Sequence, residues 1–277
     1  MQKYRSGNYR IARDITRYYS TSFSLGISLL PSGMRNAICA IYAFVRYADE
    51  IVDTFEGENQ KALLEEYRQD TVKAIQEKIS NNPVLDAFQD TVHQYDIPME
   101  YIDAFLYSME MDLSRKVFNK RELDIYIYGS AEVVGLMCLC VFEPDKNRFR
   151  ELVPYACALG AAFQKINFLR DVKSDFEDRG RVYMPTEYYQ DNFRTEECKS
   201  LFEAEIQADF EKALIGIRML PDSVKLGVYL AYVYYYKLFR KIRTRPVQEL
   251  FTKRIRISNW QKSLFLSRCL VYDRFVI

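Results

Sequence analysis

Two apolar stretches of the sequence each carry oxygen-bearing side chains spaced four residues apart. The residues concerned are Asp49 and Asp53 in the first stretch, and Asn167, Asp171 and Asp175 in the second. On a helix such residues share one face, where like charges repel by about 0.2–0.5 kcal/mol, and apolar surroundings add a desolvation cost. A divalent cation removes this conflict, because Mg²⁺ prefers oxygen ligands and is commonly held by carboxylates together with substrate phosphates. The pattern therefore predicts two facing helices that hold Mg²⁺ against a diphosphate.

The same spacing has a second interpretation that involves no metal. Arg46 precedes the first pair and Arg170 lies next to Asp171, so the carboxylates could instead belong to ion-paired helix ends. Other phosphate signatures are absent, since neither a G-x-x-x-x-G-K-[ST] loop nor a G-x-G-x-x-G segment occurs. We favour the metal-bridged diphosphate and keep the ion pairs as the alternative.

Composition excludes several classes of protein. The single histidine, His93, excludes histidine-rich metal cages and HExxH zinc proteases, and without a G-x-S-x-G segment it argues against a serine triad. The formal net charge of +1 gives no indication of nucleic acid as a partner. This charge is a cancellation, however, because residues 225–277 carry a net +10 and the rest of the chain −9. The basic segment is either a solvated face paired with acidic helices or a contact with anionic lipid.

The elements that must position these residues are predicted to be helices. Apolar residues recur at spacings of three and four, and no strand-like alternation of useful length occurs. The pattern predicts an all-α single domain over residues 1–277 with about ten helices. The clearest helical segments are 35–53, 63–79, 99–115, 121–142, 147–174, 197–219 and 223–244.

The expected location is the cytoplasm. The longest apolar runs, residues 133–142 and 152–163, are shorter than the roughly 20 residues that cross a membrane. No N-terminal signal peptide is apparent, and the six cysteines include no C-x-x-C pair, which is typical of free thiols in a reducing compartment. Any membrane contact is expected to be peripheral, at the inner membrane surface, through the basic C-terminal region.

Five segments form an ordered set of motifs. They read Y-S-T-S-F at 19–23, Y-A-F-V-R-Y-A-D-E-I-V-D at 42–53, Y-I-Y-G-S-A-E-V-V-G at 126–135, Q-K-I-N-F-L-R-D-V-K-S-D at 164–175 and R-G-R-V-Y-M-P at 179–185. In sequence and order they resemble the motifs of the squalene/phytoene synthase family of head-to-head (1′-1) prenyltransferases, most closely the bacterial phytoene synthases. The resemblance covers nearly the whole chain.

The resemblance implies an isoprenoid-synthase helical bundle with a central apolar cavity between the two aspartate motifs. It implies that the metal ligands, for Mg²⁺ or Mn²⁺, are Asp49, Asp53, Asn167, Asp171 and Asp175. The four aspartates and Tyr235 are the implied catalytic residues. The expected contacts to the prenyl diphosphate substrates, including aromatic faces near the reacting carbons, are Tyr19, Ser20, Thr21, Ser22, Phe23, Tyr42, Arg46, Tyr128, Gln164, Arg170, Arg181 and Tyr183.

The implied reaction is the condensation of two geranylgeranyl diphosphates, through prephytoene diphosphate, to 15-cis-phytoene, the first step of carotenoid biosynthesis, without NADPH. A dehydrosqualene or squalene synthase that uses farnesyl diphosphate is the main alternative. A non-catalytic assembly factor is disfavoured because all five metal positions are intact. A head-to-tail prenyltransferase or terpene cyclase is disfavoured because D-D-x-x-D is absent.

Overall fold

The computed structural model describes residues 1–55, 59–188 and 194–271. Within these ranges the chain is α-helical without strands, apart from one isolated parallel bridge between Val117 and Val182. The predicted all-α class is confirmed. The helices are α1 (Gln2–Tyr19), α2 (Thr21–Ser28), α3 (Ser32–Asp53), α4 (Gln60–Glu77), α5 (Pro83–Gln94), α6 (Met99–Ser114), α7 (Lys120–Ile127), α8 (Val133–Phe142), α9 (Lys146–Glu177), α10 (Glu196–Met219), α11 (Asp222–Arg243), α12 (Val247–Leu250) and α13 (Asn259–Val271).

The seven predicted segments are all helical, but the structure adds helices that the periodicity did not indicate. The clearest case is α5, which begins at Pro83, directly after the Asn81-Asn82 pair. The Asn82 side chain accepts hydrogen bonds from the amides of Val84 and Leu85, and Pro83 occupies the first helical position. These residues start a helix because they satisfy or remove amide donors that have no partner within it.

Two long helices carry the aspartate motifs at their C-terminal ends. Most of α3 before its acidic end is buried, including Ala40, Ile41 and Phe44, as expected for a helix apolar on all sides. The other helix, α9, has 32 residues and continues through Pro154. Both motifs are therefore held on helices anchored in the core, which limits how far their side chains can move.

A π-helical turn, Tyr128–Glu132, separates α7 from α8 within the predicted segment 121–142. Glycine is needed here for packing, because a Cβ atom on Gly129 would lie 2.4 Å from the carbonyl oxygen of Ala104. On the other side, a Cβ atom on Gly160 of α9 would lie 2.6 Å from the carbonyl oxygen of Ala131. The turn is thus held between α6 and α9 at backbone contact distance.

One helical stretch of the described residues, Lys120–Phe142, is long and apolar enough to cross a membrane by length and composition alone. Its most apolar window has a mean hydropathy of 1.8, and 56% of that window is buried inside the protein. The core helix of a soluble protein has the same properties, so this stretch is weak support for a membrane span.

Candidate active site

A cavity of about 500 Å³ lies within the helical bundle. Along α9 its lining extends from Leu152 to Arg170, a length of roughly 27 Å at the helical rise of 1.5 Å per residue. The lining is polar where the aspartate motifs lie, at Arg46, Asp49 and Asn167, and apolar around Leu152 and Phe142. This shape fits a ligand with a charged head and a long apolar tail.

The C-terminal ends of α3 and α9 face each other across an arginine. The Arg179 guanidinium binds Asp53 on α3 through Nε at 3.2 Å and Asp175 on α9 through Nη1 at 3.1 Å. Arg181 reaches the same Asp53 oxygen at 3.0 Å and donates to the carbonyl oxygen of Val52 at 3.2 Å. The two aspartate motifs therefore lie on either side of one polar space, as predicted.

A second pair of arginines surrounds Asp171. Arg170 donates from Nη2 at 2.5 Å. Arg254, on the segment before α13, donates from Nη2 at 3.3 Å and forms an ion pair through Nε at 2.6 Å. Both arginines also line the cavity. Burial lowers the pKa of Arg254, while Asp171 acts in the opposite direction. The mouth thus combines carboxylates with cationic donors that could bind a diphosphate.

Asp49 differs from the other aspartates of the motifs, since within the described part of the chain it makes no hydrogen bond or ion pair. Its neighbour Arg46 is bonded to Glu50 and lies 4.2 Å from the centre of the Tyr19 ring. The Nε atom of Arg46 is buried without a hydrogen-bond partner among the described residues. The cavity mouth therefore offers both an unpaired carboxylate and an unused cationic donor.

Burial and crowding raise the pKa values of two of these carboxylates. Burial raises the pKa of Asp49 to about 8, with help from neighbouring carboxylates and against the effect of Arg46. Burial, followed by the charge of Asp171, raises the pKa of Asp175 to about 7 against the effect of Arg179. These carboxylates are the groups that a bound cation would stabilise most in their charged form.

The ion-pair alternative is realised in part. Asp53, Asp171 and Asp175 are paired with arginines, and no three His, Cys, Asp or Glu side chains form a metal cage among residues 1–55, 59–188 and 194–271. The donor set at the mouth nevertheless consists of carboxylate and amide oxygens, which suits a hard cation such as Mg²⁺ and not a zinc site. The residues present therefore fit the predicted metal, whose binding remains a prediction.

Aromatic rings cover the cavity wall next to the polar mouth. Phe23 lies 6.1 Å from Tyr42 and 5.7 Å from Tyr235, measured between ring centres. Tyr235 stacks on Phe163 at 3.9 Å and donates a long hydrogen bond of 3.4 Å to Asn167. Burial raises the pKa of Tyr42 to about 12, so its hydroxyl stays protonated. Rings in such positions can stabilise a cationic group that lies against their faces.

A buried carboxylate, Asp112 on α6, supports the site from behind. It accepts hydrogen bonds from Tyr126 at 2.8 Å and from Tyr183 at 2.6 Å and is only 6% exposed. Burial raises its pKa to about 6, against the effect of Arg181 and the two tyrosines. Arg181 and Tyr183 therefore act on the site through Asp53 and Asp112, and neither lines the main cavity.

Besides Arg181 and Tyr183, three further residues expected to contact substrate do not line the cavity. Thr21 and Ser22 are on α2 but outside the lining, whereas Ser20 belongs to it. Tyr128 is 40% exposed and also lies outside the lining, so this structure does not place it among the residues around the cavity. Tyr126 lines the cavity instead, because residues two apart on a helix point in nearly opposite directions.

Other residues of the site were missed by sequence reasoning. Arg179 could have been found, since it follows Asp175 by four residues and such pairs meet on a helix. Phe163 lies in an apolar run without any distinguishing signal. Arg254 is 83 residues from Asp171, so only the tertiary structure could pair them.

Comparison with known proteins decides the family. The squalene/phytoene synthase family model matches residues 16–261. The chain belongs to the squalene/phytoene synthase family. It is therefore an enzyme of the prenyltransferase type, in agreement with the motif resemblance.

Relatives in the family include proteins named phytoene synthase. The phytoene synthase of Arthrospira platensis is 31% identical over 95% of this chain and 92% of its own length. The 15-cis-phytoene synthase of a Synechocystis species is 30% identical over 93% of this chain and 83% of its own. Each alignment leaves less than a tenth of the chain unmatched. Both aspartate motifs lie well inside the chain and therefore fall within the aligned region.

Solved structures agree with the helical architecture. A dehydrosqualene synthase crystallised with a ligand superposes with a TM-score of 0.83 over 99% of both chains, at 22% identity. A squalene synthase from Alicyclobacillus acidocaldarius gives 0.74 over 86% of this chain and 93% of its own, at 23% identity. These likenesses concern the fold alone, and they confirm the predicted isoprenoid-synthase bundle.

Proposed function

We propose that this enzyme condenses two molecules of geranylgeranyl diphosphate head to head (1′-1), through prephytoene diphosphate, to phytoene. The observation that carries the proposal is a cavity that joins a polar mouth to an apolar interior, the mouth being lined by Arg46, Asp49, Asn167, Arg170 and Arg254. Relatives named phytoene synthase, aligned over 95% and 93% of the chain, support phytoene as the product and carotenoid biosynthesis as the pathway.

The proposed cofactor is Mg²⁺, which Mn²⁺ could replace. The residues that would hold it are Asp49, Asp53, Asn167, Asp171 and Asp175, of which Asp49 is unpaired among the described residues and two have raised pKa values. When bound, Mg²⁺ would neutralise the charge that develops on a departing diphosphate. Because Arg179 now bonds Asp53 and Asp175, we expect this arginine to yield its carboxylates to the metal or to share them.

The protein's own residues would bind, orient and shield the substrates. Arg46, Arg170 and Arg254 line the mouth and would donate hydrogen bonds to diphosphate oxygens. Loss of diphosphate leaves an allylic cation, which water would destroy, so the apolar interior must exclude water. The rings of Phe23 and Tyr235 would stabilise that cation from the cavity wall by roughly 0.5–2 kcal/mol each.

The proposed reaction has two ionisations. The first cation alkylates the double bond of the second substrate, and loss of a proton gives the cyclopropylcarbinyl intermediate, prephytoene diphosphate. That intermediate loses its diphosphate, rearranges and releases a second proton to form the central triene of phytoene. No electrons are added, so NADPH is not needed.

The test is product identification by mass after incubation of the purified protein with geranylgeranyl diphosphate and Mg²⁺, without NADPH. We expect phytoene, loss of activity with a chelator, and recovery with Mg²⁺ or Mn²⁺. Asp49→Asn and Asp171→Asn should each lower kcat by at least about 10²-fold, since each removes charge where the transition state needs it. Asp222→Asn is the matched control, because that side chain is 99% exposed and far along the chain from both motifs.

Two results would redirect the proposal. Turnover of farnesyl diphosphate alone would identify a dehydrosqualene or squalene synthase, and a need for NADPH would separate those two. Absence of turnover with either substrate, together with an intact fold, would favour a non-catalytic role.

A further inference from the structure

The last described helix, α13, exposes a second apolar face. Its inward face packs through Phe265, Leu266 and Cys269 in a cluster with residues of α2 and α11. On the outward face, Trp260 is 73% exposed, and Leu264, four residues later, is 50% exposed. Large apolar side chains aligned on one face of a helix differ from the scattered exposed residues that any soluble protein has.

This outward face lies beside the mouth of the cavity. Lys262 of α13 donates a hydrogen bond of 2.6 Å to the Thr21 hydroxyl, next to Tyr19 and Ser20, which line the cavity. At the same corner Tyr18 is 83% exposed, and its ring contacts that of Tyr19 at 5.0 Å between centres. Exposed tryptophan and tyrosine thus occur together where substrate must enter.

The chain segment that carries this face is basic. Residues 251–271 contain five Lys or Arg residues and no Asp or Glu, and two of the five, Lys253 and Arg254, are ion-paired with Glu249 and Asp171. Lysine and arginine near a membrane surface attract anionic lipid by about 1 kcal/mol each, and tryptophan and tyrosine prefer the lipid–water interface. A helix with basic residues and an apolar face is typical of one that lies in the plane of that interface.

We propose that the outward face of α13, with Tyr18 beside it, docks on an anionic lipid surface and so brings the cavity mouth to the membrane. Basic charge favours lipid over a second copy of the chain, because two copies of this face would repel each other. Docking would be useful because prenyl diphosphates are amphipathic and the product is an insoluble hydrocarbon. That advantage rests on the proposed function, whereas the docking itself does not.

The test is co-sedimentation of the full chain with vesicles of phosphatidylcholine alone or mixed with phosphatidylglycerol, at low and high salt. We expect binding only to the mixed vesicles, weakened by salt. The double variant Trp260→Ser, Leu264→Ser should bind at least about tenfold more weakly, because it removes the apolar contact and keeps the charge. The control is Leu201→Ser, Ile215→Ser, which removes side chains that are 47% and 51% exposed on α10 and should bind like the unaltered protein.

Circular dichroism and melting temperature would show that both double variants are folded. Equal binding of the unaltered protein to the two kinds of vesicle would overturn the proposal, and so would unchanged binding of the α13 variant. A dimer that dissociates in the α13 variant, without vesicle binding, would instead identify an interface between copies. None of these outcomes depends on turnover, so they remain distinct from failure of the proposed function.

Discussion

At the scale of single residues, the mouth of the cavity is a network of ion pairs between arginines and carboxylates. Arg254 contacts Asp171 at 2.6 Å and lines the cavity, although it is not among the site residues predicted from the motifs. Its charge is partly desolvated beside Arg170. Such a donor is well placed to bind an anionic group at the mouth. Removal of Arg254 should therefore impair the binding and turnover of substrate more than it destabilises the fold.

We expect Arg254→Ala to lower kcat/KM for the prenyl diphosphate by roughly 10- to 100-fold, because one charge-assisted donor to the diphosphate is lost. Arg254→Lys should recover only part of this loss, since lysine keeps the charge without the planar fork. Steady-state kinetics measure both effects. The control is Arg245→Ala, whose side chain is 42% exposed and pairs weakly with Glu249 at 3.6 Å. Equal kinetics for the Arg254→Ala variant and the unaltered protein would exclude Arg254 from the site.

At the scale of elements, the site depends on helices that approach to backbone contact. Gly160 on α9 lies against Ala131 in the π-helical turn, and a Cβ atom there would also lie 3.0 Å from the Cα of Glu132. Neither neighbour is a flexible side chain that can move away. The turn and α9 both line the cavity, so this contact sets the width of the space between them.

Gly160→Ala should therefore destabilise the protein by about 1–3 kcal/mol, because overpacking displaces backbone. Gly7→Ala in α1 is the matched control, since nothing lies within 4 Å of a Cβ atom at that position. There the alanine should stabilise by roughly 0.5–1 kcal/mol, through its better helix propensity. Denaturant unfolding of the two variants measures the difference, and effects of the same sign would contradict the packing argument.

At the scale of the whole molecule, the site affects stability through its charge. Asp49, Asp175 and Asp112 have pKa values raised to about 8, 7 and 6. Because these folded-state values lie above the unfolded value of 3.8, the folded protein holds more protons over this range. Their contribution to stability is full at low pH and is lost as the pH rises through each folded-state pKa.

In metal-free protein, the melting temperature of Asp49→Asn relative to the unaltered protein should accordingly increase between about pH 4 and pH 8. The amide cannot ionise, so the variant escapes the growing cost of a buried charge. Differential scanning calorimetry with a chelator present measures this difference, in which the ionisation of other groups largely cancels. Asp222→Asn is the control for the substitution itself, because that side chain is 99% exposed. If the difference in melting temperature between Asp49→Asn and the unaltered protein does not change with pH, burial does not raise the pKa of this carboxyl.

The local features of the protein were determined by its sequence. Spacings of three and four residues determine the helices, and spacing of four places each aspartate set on one helix face, because both depend on neighbours within two turns. The charge asymmetry of residues 225–277 is likewise a property of composition. These features were enough to predict the all-α class. They were also enough to predict that the two helices with the aspartate motifs face each other.

Only the tertiary structure decided which partners meet across the chain. Arg181 reaches Asp53 over 128 residues and Tyr183 reaches Asp112 over 71, and no local pattern encodes such pairs. The π-helical turn adds a residue to one turn and so changes which side chains face inward beyond it, a shift that a 3.6-residue period does not anticipate. Exposure of Trp260 also depended on tertiary packing, since α13 is apolar on two sides and only its contacts with α2 and α11 determine which side is buried.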